Sequence, residues 1–266
     1  MALVKSRALV LKVHPLGETS KVVVCYTRDY GKVRLLAKGG RKGGSRLGAS
    51  LEPFLVSGVV FYLRQGRELS LVSQADIESD FPGLRRDVRR LAYASAVLEL
   101  VDLLVCEREP DPALFDTIAR SLAEIESAPM GELDPALWRF ELSLARGLGY
   151  APLFDRCVAC GRPAGERDTF SPDLGGLVCP ACLAESPGSD ALDGRATSVL
   201  AALSRGSDVR AEGLPLATRE RVGDGLIRFL GAHAGRTIVL KSMGFLSQMK
   251  RVDPSSDSAD GADDDA

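Results

Sequence analysis

The first 80 residues contain five short segments in which valine, leucine and aromatic residues recur with the spacing of β-strands. The segments are RALVLKV, KVVVCYT, KVRLLAK, FLVSGVVFYLR and ELSLVSQ. Turn-forming stretches such as HPLGE and RDYGK lie between them. Five strands with no intervening helix favour a closed or nearly closed barrel, because an open sheet of this size would leave unpaired edges. The pattern predicts an OB-fold, with an SH3-like barrel as the alternative that strand count cannot separate.

Beyond the DFPG stretch, apolar residues recur with the period of α-helices. Helices are expected at 84–106, 112–127, 135–147, 191–206 and 215–235. Asp111 and Asp134 precede two of them and are suited to cap their N-termini. Short links between the helices favour antiparallel packing of neighbours.

The predicted fold class is therefore α+β with more than one domain, which a length of 266 residues allows. An OB-fold domain is expected over residues 1–80 and an α-helical domain over 81–252. A cysteine-rich module at about 154–186 interrupts the helical domain. Residues 253–266 consist of Asp, Ser, Ala, Gly and Pro with no large apolar side chain, so we expect a disordered acidic tail.

Composition places the chain among ordinary soluble globular proteins, with 45% hydrophobic and 26% charged residues. The longest apolar runs are too short for a bilayer span or contain acidic residues, so no membrane helix is expected. The N-terminus carries charges every few residues and does not resemble a secretory signal. We expect a cytoplasmic location.

The charge is distributed very unevenly along the chain. Residues 1–67 contain thirteen lysines and arginines against three acids, whereas residues 253–266 contain six aspartates and no base. A strongly basic N-terminal region indicates a polyanionic partner, most commonly a nucleic acid, although a solvated basic surface is the simpler alternative. The acidic tail could fold back and compete with that partner or only solubilise the chain.

Four of the six cysteines form two pairs, Cys157-x2-Cys160 and Cys179-x2-Cys182, separated by eighteen residues. This spacing is typical of a four-thiolate zinc site, in which both sulfurs of each pair bind one ion at about 2.3 Å. Four sulfurs fill the coordination of zinc, so the Zn²⁺ is expected to be structural and to fold the loop between the pairs. Two disulfides are the alternative, which a cytosolic compartment disfavours.

Residues around the cysteine pairs support the metal site. Gly161 can adopt the left-handed conformation that directs backbone N–H groups at sulfur, and three arginines can offset the negative charge of four thiolates. These are Arg156, Arg162 and Arg167. The remaining cysteines, Cys25 and Cys106, lie in apolar patterns and are expected in the core.

Known enzyme motifs are absent from the sequence. The two histidines lie outside zinc-protease and deaminase patterns, and no G-x-S-x-G is present. The stretch GGRKGGSR has the composition of a phosphate-binding loop, but its Lys and Ser are in the wrong order for G-x4-G-K-[ST]. We therefore expect a protein without catalytic residues.

Basic and aromatic residues cluster around the third predicted strand and the loop after it. The candidate nucleic-acid-binding residues are Lys32, Arg34, Lys38, Arg41, Lys42, Arg46, Tyr26 and Tyr62. Cations that follow phosphates and rings that stack on bases are what single-stranded nucleic acids require. Alternatively, rings such as Phe54 and Phe61 fill the barrel, because half of any strand faces inward.

Three stretches resemble the RecO DNA-repair family. They are AKGGRKGGSRLGASLEPF, WRFELSLARGLGYAPLFDRCVACGR and KSMGFLSQM, within a resemblance that covers nearly all of residues 1–250. The resemblance implies an N-terminal OB-fold, a helical domain and a structural four-cysteine zinc module. It also implies binding of single- and double-stranded DNA, annealing of complementary strands, and cooperation with RecR and single-stranded DNA-binding protein to load RecA. The alternatives are a zinc-ribbon transcription or RNA-binding factor and a protein scaffold.

Four arginines at the start of the first predicted helix are a candidate partner-binding site. They are Arg85, Arg86, Arg89 and Arg90, two pairs at i, i+4 spacing where the helix dipole disfavours positive charge. By resemblance, the acidic C-terminal peptide of single-stranded DNA-binding protein is a candidate ligand. Local neutralisation by Asp80 and Asp87 is the alternative.

Overall fold

Five strands at the start of the chain close into a barrel in the computed structural model, which describes residues 2–63, 66, 68–185 and 191–252, with backbone alone at 250–252. The strands are β1 (Ala2–Leu16), β2 (Ser20–Thr27), β3 (Gly31–Ala37), β4 (Leu55–Leu63) and β5 (Leu69–Asp80). Their order around the barrel is β1-β2-β3-β5-β4, with β4 paired to β1. Among the strand pairs described for the barrel, β3 and β5 are the parallel one. The prediction of five strands closing into a barrel is confirmed.

Alternating apolar residues fill the barrel, as the period of two in β-strands requires. Its core includes Val10, Val23, Cys25, Val33, Leu35, Val59, Phe61 and Val72. Phe54 is also buried, at 6% exposure, so both phenylalanines that were weighed as base-stacking residues belong to the interior.

A short helix between β3 and β4, α1 (Arg46–Ala49), was not predicted. The Ser45 side chain accepts a hydrogen bond from the Gly48 N–H and caps this single turn. A four-residue helix containing glycine is too short for apolar periodicity to reveal.

The chain divides into two compact units, residues 1–127 and 128–266. In the first unit, a 3-10 turn (Pro82–Arg85) and the helices α2 (Val88–Leu104) and α3 (Pro112–Ser127) accompany the barrel. Asp111 caps α3 as predicted, since its Oδ1 accepts from the N–H groups of Ala113 and Leu114. The expected domain division at residue 80 stays a prediction.

The segment that links α2 to α3 packs directly on the β2–β3 turn. Gly31 has φ +64°, and a Cβ placed there would lie 2.4 Å from the Glu109 carbonyl oxygen, so only glycine fits. The Arg108 N–H donates to the Lys32 carbonyl at 3.0 Å. Cys106, which lies in this segment, is exposed, so its prediction as a core residue is wrong.

The second unit contains α4 (Leu133–Gly147), α5 (Pro180–Ala184), α6 (Gly194–Ser204), α7 (Leu216–His233) and α8 (Lys241–Val252). Its buried residues include Trp138, Phe140, Leu200, Val222 and Phe229. Asp134 lies inside α4 and its Oδ2 accepts from Arg219 Nε at 2.6 Å, so its prediction as a helix cap is wrong. The helix α8 was not predicted.

A small three-stranded sheet precedes α5. Its strands are β6 (Leu153–Cys157), β7 (Thr169–Ser171) and β8 (Gly176–Val178), in the order β6-β8-β7. The predicted tail at 253–266 lies outside the described residues. The hypothesis that it competes with a polyanion therefore stays a prediction. None of the helices in the described ranges combines the length and apolarity needed to cross a membrane.

Glu141 is the only glutamate within the described residues that is counted as buried, at 1% exposure. Its Oε2 has no hydrogen-bond partner among those residues. Burial raises the pKa of Glu141 well above its usual value, and the Asp134 carboxylate raises it further. The native state therefore binds the Glu141 proton more tightly than the unfolded chain does.

We expect Glu141→Gln to be increasingly more stable than the wild type as pH rises above the ordinary glutamate pKa. The unfolded chain loses the Glu141 proton at lower pH than the native state, so the wild-type free energy of unfolding decreases across this window. The difference should grow by at most about 1.4 kcal/mol per pH unit. Urea unfolding from about pH 5 to about pH 8 measures it. The exposed control Glu212→Gln should show no trend, and a pH-independent difference for Glu141→Gln would contradict the prediction.

Candidate nucleic-acid interface and metal centre

The basic loop, residues 38–46, connects β3 to α1 and has a defined backbone. Its N–H groups at Gly40, Lys42 and Ser45 donate to carbonyl groups three residues earlier. Gly39 and Gly44 adopt positive φ angles of 68° and 73° that favour glycine. The loop is thus a series of tight turns that displays exposed cations, and the glycines serve these turns.

Arg41 attaches the basic loop to the turn between β1 and β2. Its Nη1 donates to the Gly17 carbonyl at 2.7 Å, and its backbone N–H donates to the Thr19 carbonyl at 2.8 Å. Although Arg41 is exposed, part of its hydrogen-bonding capacity is used inside the protein.

An open groove of about 710 Å³ lies between this turn and the basic loop. Its lining residues are Leu16, Gly17, Thr19, Ser20, Leu36, Lys38, Gly39 and Lys42. Lys38 and Lys42 are exposed, and neither forms an ion pair within the described part of the chain. Arg46 is exposed at the first position of α1. The structure therefore brings Lys38 and Lys42 to one groove, with Arg41 and Arg46 in the same loop.

Two residues that were predicted to bind nucleic acid lie in the interior of the first unit. Lys32 is 8% exposed and its Nζ donates to the Asp102 carbonyl at 2.8 Å. Tyr26 is fully buried and its hydroxyl accepts from the Asp111 N–H at 3.2 Å. Burial raises the pKa of Tyr26 to about 12 and lowers the pKa of Lys32. Their prediction as nucleic-acid contacts is corrected, because both side chains join the barrel to the helices.

Arg34 and Tyr62 are accessible but are not part of the groove. Arg34 forms ion pairs with Glu107 at 2.8 Å and Glu68 at 3.5 Å. Tyr62 is half-buried on β4, whose neighbours in the barrel are β1 and β5. It therefore lies on a different part of the wall from β2 and β3. The groove residues Thr19 and Ser20 were missed, since no sequence signal places a β1–β2 turn beside a loop twenty residues later.

The four arginines after the barrel were predicted to lie on one helix, and this prediction is wrong. Asp87 Oδ1 accepts from the Arg90 N–H at 2.9 Å and starts α2. Arg85 is the last residue of the preceding 3-10 turn, and Arg86 is its C-cap. Arg85 donates to the Pro53 carbonyl at 2.6 Å, and Arg90 donates to the Ile125 carbonyl at 2.6 Å. Arg89 is half-buried in the first turn of α2 and Arg86 is exposed. Binding of a partner by these residues stays a prediction.

The four paired cysteines converge on one point in the second unit. Cys157, Cys160, Cys179 and Cys182 place their sulfurs within 4.8 Å of one another. Cys157 ends β6, and Cys179 precedes α5, where Pro180 occupies the first helical position. Gly161 has φ +76°, as predicted, and its N–H donates to the Cys157 carbonyl. The geometry is that of a four-thiolate site that could hold one metal ion.

Backbone donors around the sulfurs favour negative charge. Burial alone would raise the pKa of Cys157, but N–H groups of Cys160, Cys179 and Ala159 lower it to about 6. The N–H of Cys182 lowers the pKa of Cys179, with help from Arg162. By contrast, hydrogen bonding to Cys179 raises the pKa of Cys182 to about 12. Thiolates held this close repel one another, and a bound dication would remove that repulsion.

Arg162 joins the sulfur cluster to a buried carboxylate. The pKa of Arg162 is raised first by its hydrogen bond to Cys179 and then by Asp168. Asp168, whose side chain is fully buried, is also held by the Gly165 N–H at 2.9 Å. Arg156 instead pairs with the adjacent Asp155. Of the three predicted charge-balancing arginines, Arg162 is the one in contact with sulfur.

Family comparisons match both parts of the chain. Residues 1–81 match the model described as Recombination protein O N terminal, and residues 85–243 match Recombination protein O C terminal. The chain belongs to the RecO family. The first match covers the barrel, and the second covers both helical regions and the cysteine cluster.

Several curated proteins of the RecO family are similar over most of their length. DNA repair protein RecO of Pelobacter propionicus is 34% identical over 245 residues, covering 92% of this chain and 96% of that protein. DNA repair protein RecO of Pelotomaculum thermopropionicum is 34% identical over 262 residues, covering 98% and 100%. The protein of the same name from Bacillus pumilus is 30% identical over 255 residues, covering 94% and 96%. The resemblance noted in the sequence is thereby confirmed.

Stability measurements should separate Lys32 from the cations of the groove. We expect Lys32→Met to lower the free energy of unfolding by about 1 to 3 kcal/mol, because it leaves the Asp102 carbonyl without its donor. Lys42→Ala should change it by less than about 0.5 kcal/mol, since the side chain is exposed. Guanidinium unfolding of both variants provides the measurement. Equal stability of the two would contradict a structural role for Lys32.

Proposed function

We propose that this protein is a non-enzymatic mediator of recombinational DNA repair that binds DNA through its barrel and anneals complementary single strands. The observation that carries the proposal is the groove in which Lys38 and Lys42 are exposed and form no ion pair with any residue that the structure describes. Membership of the RecO family, whose curated members are named DNA repair proteins, supports it. Such a role belongs in the bacterial cytoplasm.

The topology of the barrel supports the choice of ligand. Strand order β1-β2-β3-β5-β4, with β3 parallel to β5 and a helix between β3 and β4, is consistent with an OB-fold and supports that assignment. OB-folds bind oligonucleotides on the face of strands 2 and 3 and with the loop between strands 1 and 2. The groove lies at that loop, so the exposed Lys38 and Lys42 are where a nucleic-acid backbone would run.

Annealing follows from the electrostatics of this surface. Two single strands repel each other through their phosphates, and cations that neutralise both backbones lower the barrier to pairing. Lys38 and Lys42 lie on the turns of the basic loop, Arg46 begins α1 directly after them, and all three side chains are exposed. Contacts to phosphate carry no sequence information, which suits a protein that must pair any two complementary strands.

The partners are part of the same proposal. We infer that the protein acts on single-stranded DNA coated by single-stranded DNA-binding protein and, together with RecR, helps to load RecA. Arg86 is an exposed cation suited to an acidic peptide. A zinc-ribbon transcription or RNA-binding factor is less favoured, because Arg156 and Arg162 of the cysteine module are paired with Asp155 and Asp168.

We also propose that Cys157, Cys160, Cys179 and Cys182 hold a structural Zn²⁺. Four thiolates complete a tetrahedral shell and leave no position for water or substrate, so the ion would supply folding energy and no chemistry. The elements adjacent to the cluster in sequence are three short strands and the single turn of α5, and the apolar side chains packed with the buried cysteines are Val158, Val178 and Leu183. The shortage of local apolar core is the reason that a metal is needed.

Removing both lysines from the groove should weaken DNA binding and annealing. We expect Lys38→Ala/Lys42→Ala to bind single-stranded DNA roughly tenfold less tightly and to reduce the slope of log affinity against log salt by about 1.4, since each lost phosphate contact removes about 0.7. Fluorescence anisotropy over a salt series measures both, and annealing of strands coated with single-stranded DNA-binding protein tests the function.

The matched control is Arg195→Ala/Arg205→Ala, which removes the same charge from exposed positions on and after α6. It should leave the salt slope nearly unchanged. Equal losses in the two double variants would show only a net-charge effect, and a wild-type affinity that is insensitive to salt would contradict the proposed interface.

Metal removal should destabilise the second unit without removing the groove. We expect Cys157→Ser to lose the bound zinc and to lower the thermal midpoint by several degrees, while Cys106→Ser, an exposed cysteine outside the cluster, retains both. Zinc content by elemental analysis and unfolding by calorimetry are the measurements. Zinc-free wild-type protein of unchanged stability would refute the structural metal.

A further inference from the structure

Lys21 is a buried cation inside a surface of exposed ones. It lies on β2, opposite Ala37 of β3, and its exposure is only 2%. Its Nζ donates to the carbonyl groups of Gly48 at 2.8 Å and Leu51 at 2.9 Å, and contacts Glu52 Oε1 at 2.6 Å. All three hydrogen atoms of the ammonium group can therefore be satisfied within the protein.

The three acceptors all belong to α1 and the turn that follows it. Gly48 is the third residue of α1, and Leu51 and Glu52 come directly after its C-cap, Ser50. Leu51 is fully buried in the barrel core. Lys21 thus connects the wall of the barrel to the element that ends the basic loop.

A second contact fixes the other side of α1. A Cβ placed on Gly48 would lie 1.9 Å from the carbonyl oxygen of Gly40, so the backbone of α1 packs directly on the basic loop. The Lys21 side chain also lies beneath Gly40, whose own Cβ position is 3.3 Å from Lys21 Cγ. Lys21, α1 and the basic loop are therefore packed against one another, and the loop carries the exposed Arg41 and Lys42.

We propose that Lys21 is a positioning residue for nucleic-acid binding: it sets the conformation of the basic loop and touches no phosphate itself. The inference rests on the proposed function of the groove. A loop held in its binding conformation loses less conformational entropy when DNA binds than a free one. A buried cation is suited to this task because the protein satisfies it fully, so DNA cannot compete for it.

A double-mutant cycle with Lys42 tests the proposal. Lys21→Met keeps the aliphatic stem and removes the ammonium group, and we expect it to weaken single-stranded DNA binding roughly tenfold. In the wild type, Lys42→Ala should weaken binding by about three- to tenfold, whereas in the Lys21→Met background it should do so by less than about twofold. Such coupling is expected only if Lys21 acts through the loop.

The control for lost stability is Val59→Ala, which removes buried volume from the barrel core at a position on β4 whose strand partners are Ser6 and Ala75. It should bind DNA like the wild type and show additive effects with Lys42→Ala. Should Lys21→Met fail to fold, Gly48→Ala separates α1 from Gly40 and should show the same coupling.

The positioning role is overturned if the effects of Lys21→Met and Lys42→Ala are additive, or if Val59→Ala weakens binding as much as Lys21→Met. A different result marks failure of the proposed function. If Lys42→Ala and Lys38→Ala both bind DNA as tightly as the wild type, the groove is not the interface, and the role of Lys21 falls with it.

Discussion

The pairing of β2 with both β1 and β3 is the constraint on which the candidate interface depends. Leu16 pairs with Ser20 across the first turn, and Lys21 pairs with Ala37 at the end of β3. These two registers place the β1–β2 turn beside the loop that leaves β3. Because the side-chain period of a strand is two, a slip of one residue would expose Lys21 and bury its neighbours. The groove exists only in the observed register.

Buried polar groups divide the cations of the barrel into two classes. Lys21 and Lys32 have their charge satisfied by carbonyl groups and carboxylates within the protein. Lys38 and Lys42 lie in water and remain available. A buried charge must be fully hydrogen-bonded to be tolerated, so Lys21 and Lys32 serve to fix the local structure. The exposed Lys38 and Lys42 are suited to a mobile polyanion. The number of cations in the N-terminal sequence therefore exceeds the number that are available to contact DNA.

The cysteine module follows a different logic, because it is built almost entirely from local sequence. Two knuckles, each a Cys-x2-Cys turn, present N–H groups to sulfur. The contacts between the two pairs include Cys160 Sγ to Cys179 Sγ at 3.9 Å and the Cys179 N–H, which donates to Cys157 Sγ at 3.4 Å. Local turns are set by residues such as Gly161 and Pro180, whose conformational preferences can be predicted from the sequence alone. Arg162 contacts Cys179 only in the folded protein. The spacing of the sequence therefore did not show which of the three nearby arginines lies at the sulfur.

The sequence by itself determined the five strands, the α3 helix with its Asp111 cap and the cysteine cluster, since each depends on short-range periodicity or spacing. The family was indicated by the resemblance of three stretches to known members. The sequence identified the basic loop but not which of its cations are available. Tertiary structure decided that Lys32 and Tyr26 are interior, that Arg34 is paired with Glu107, and that Thr19 lies beside Lys42. The reason is physical: charge and aromaticity are properties of a residue, whereas exposure and partners depend on strands distant in sequence that barrel closure brings together.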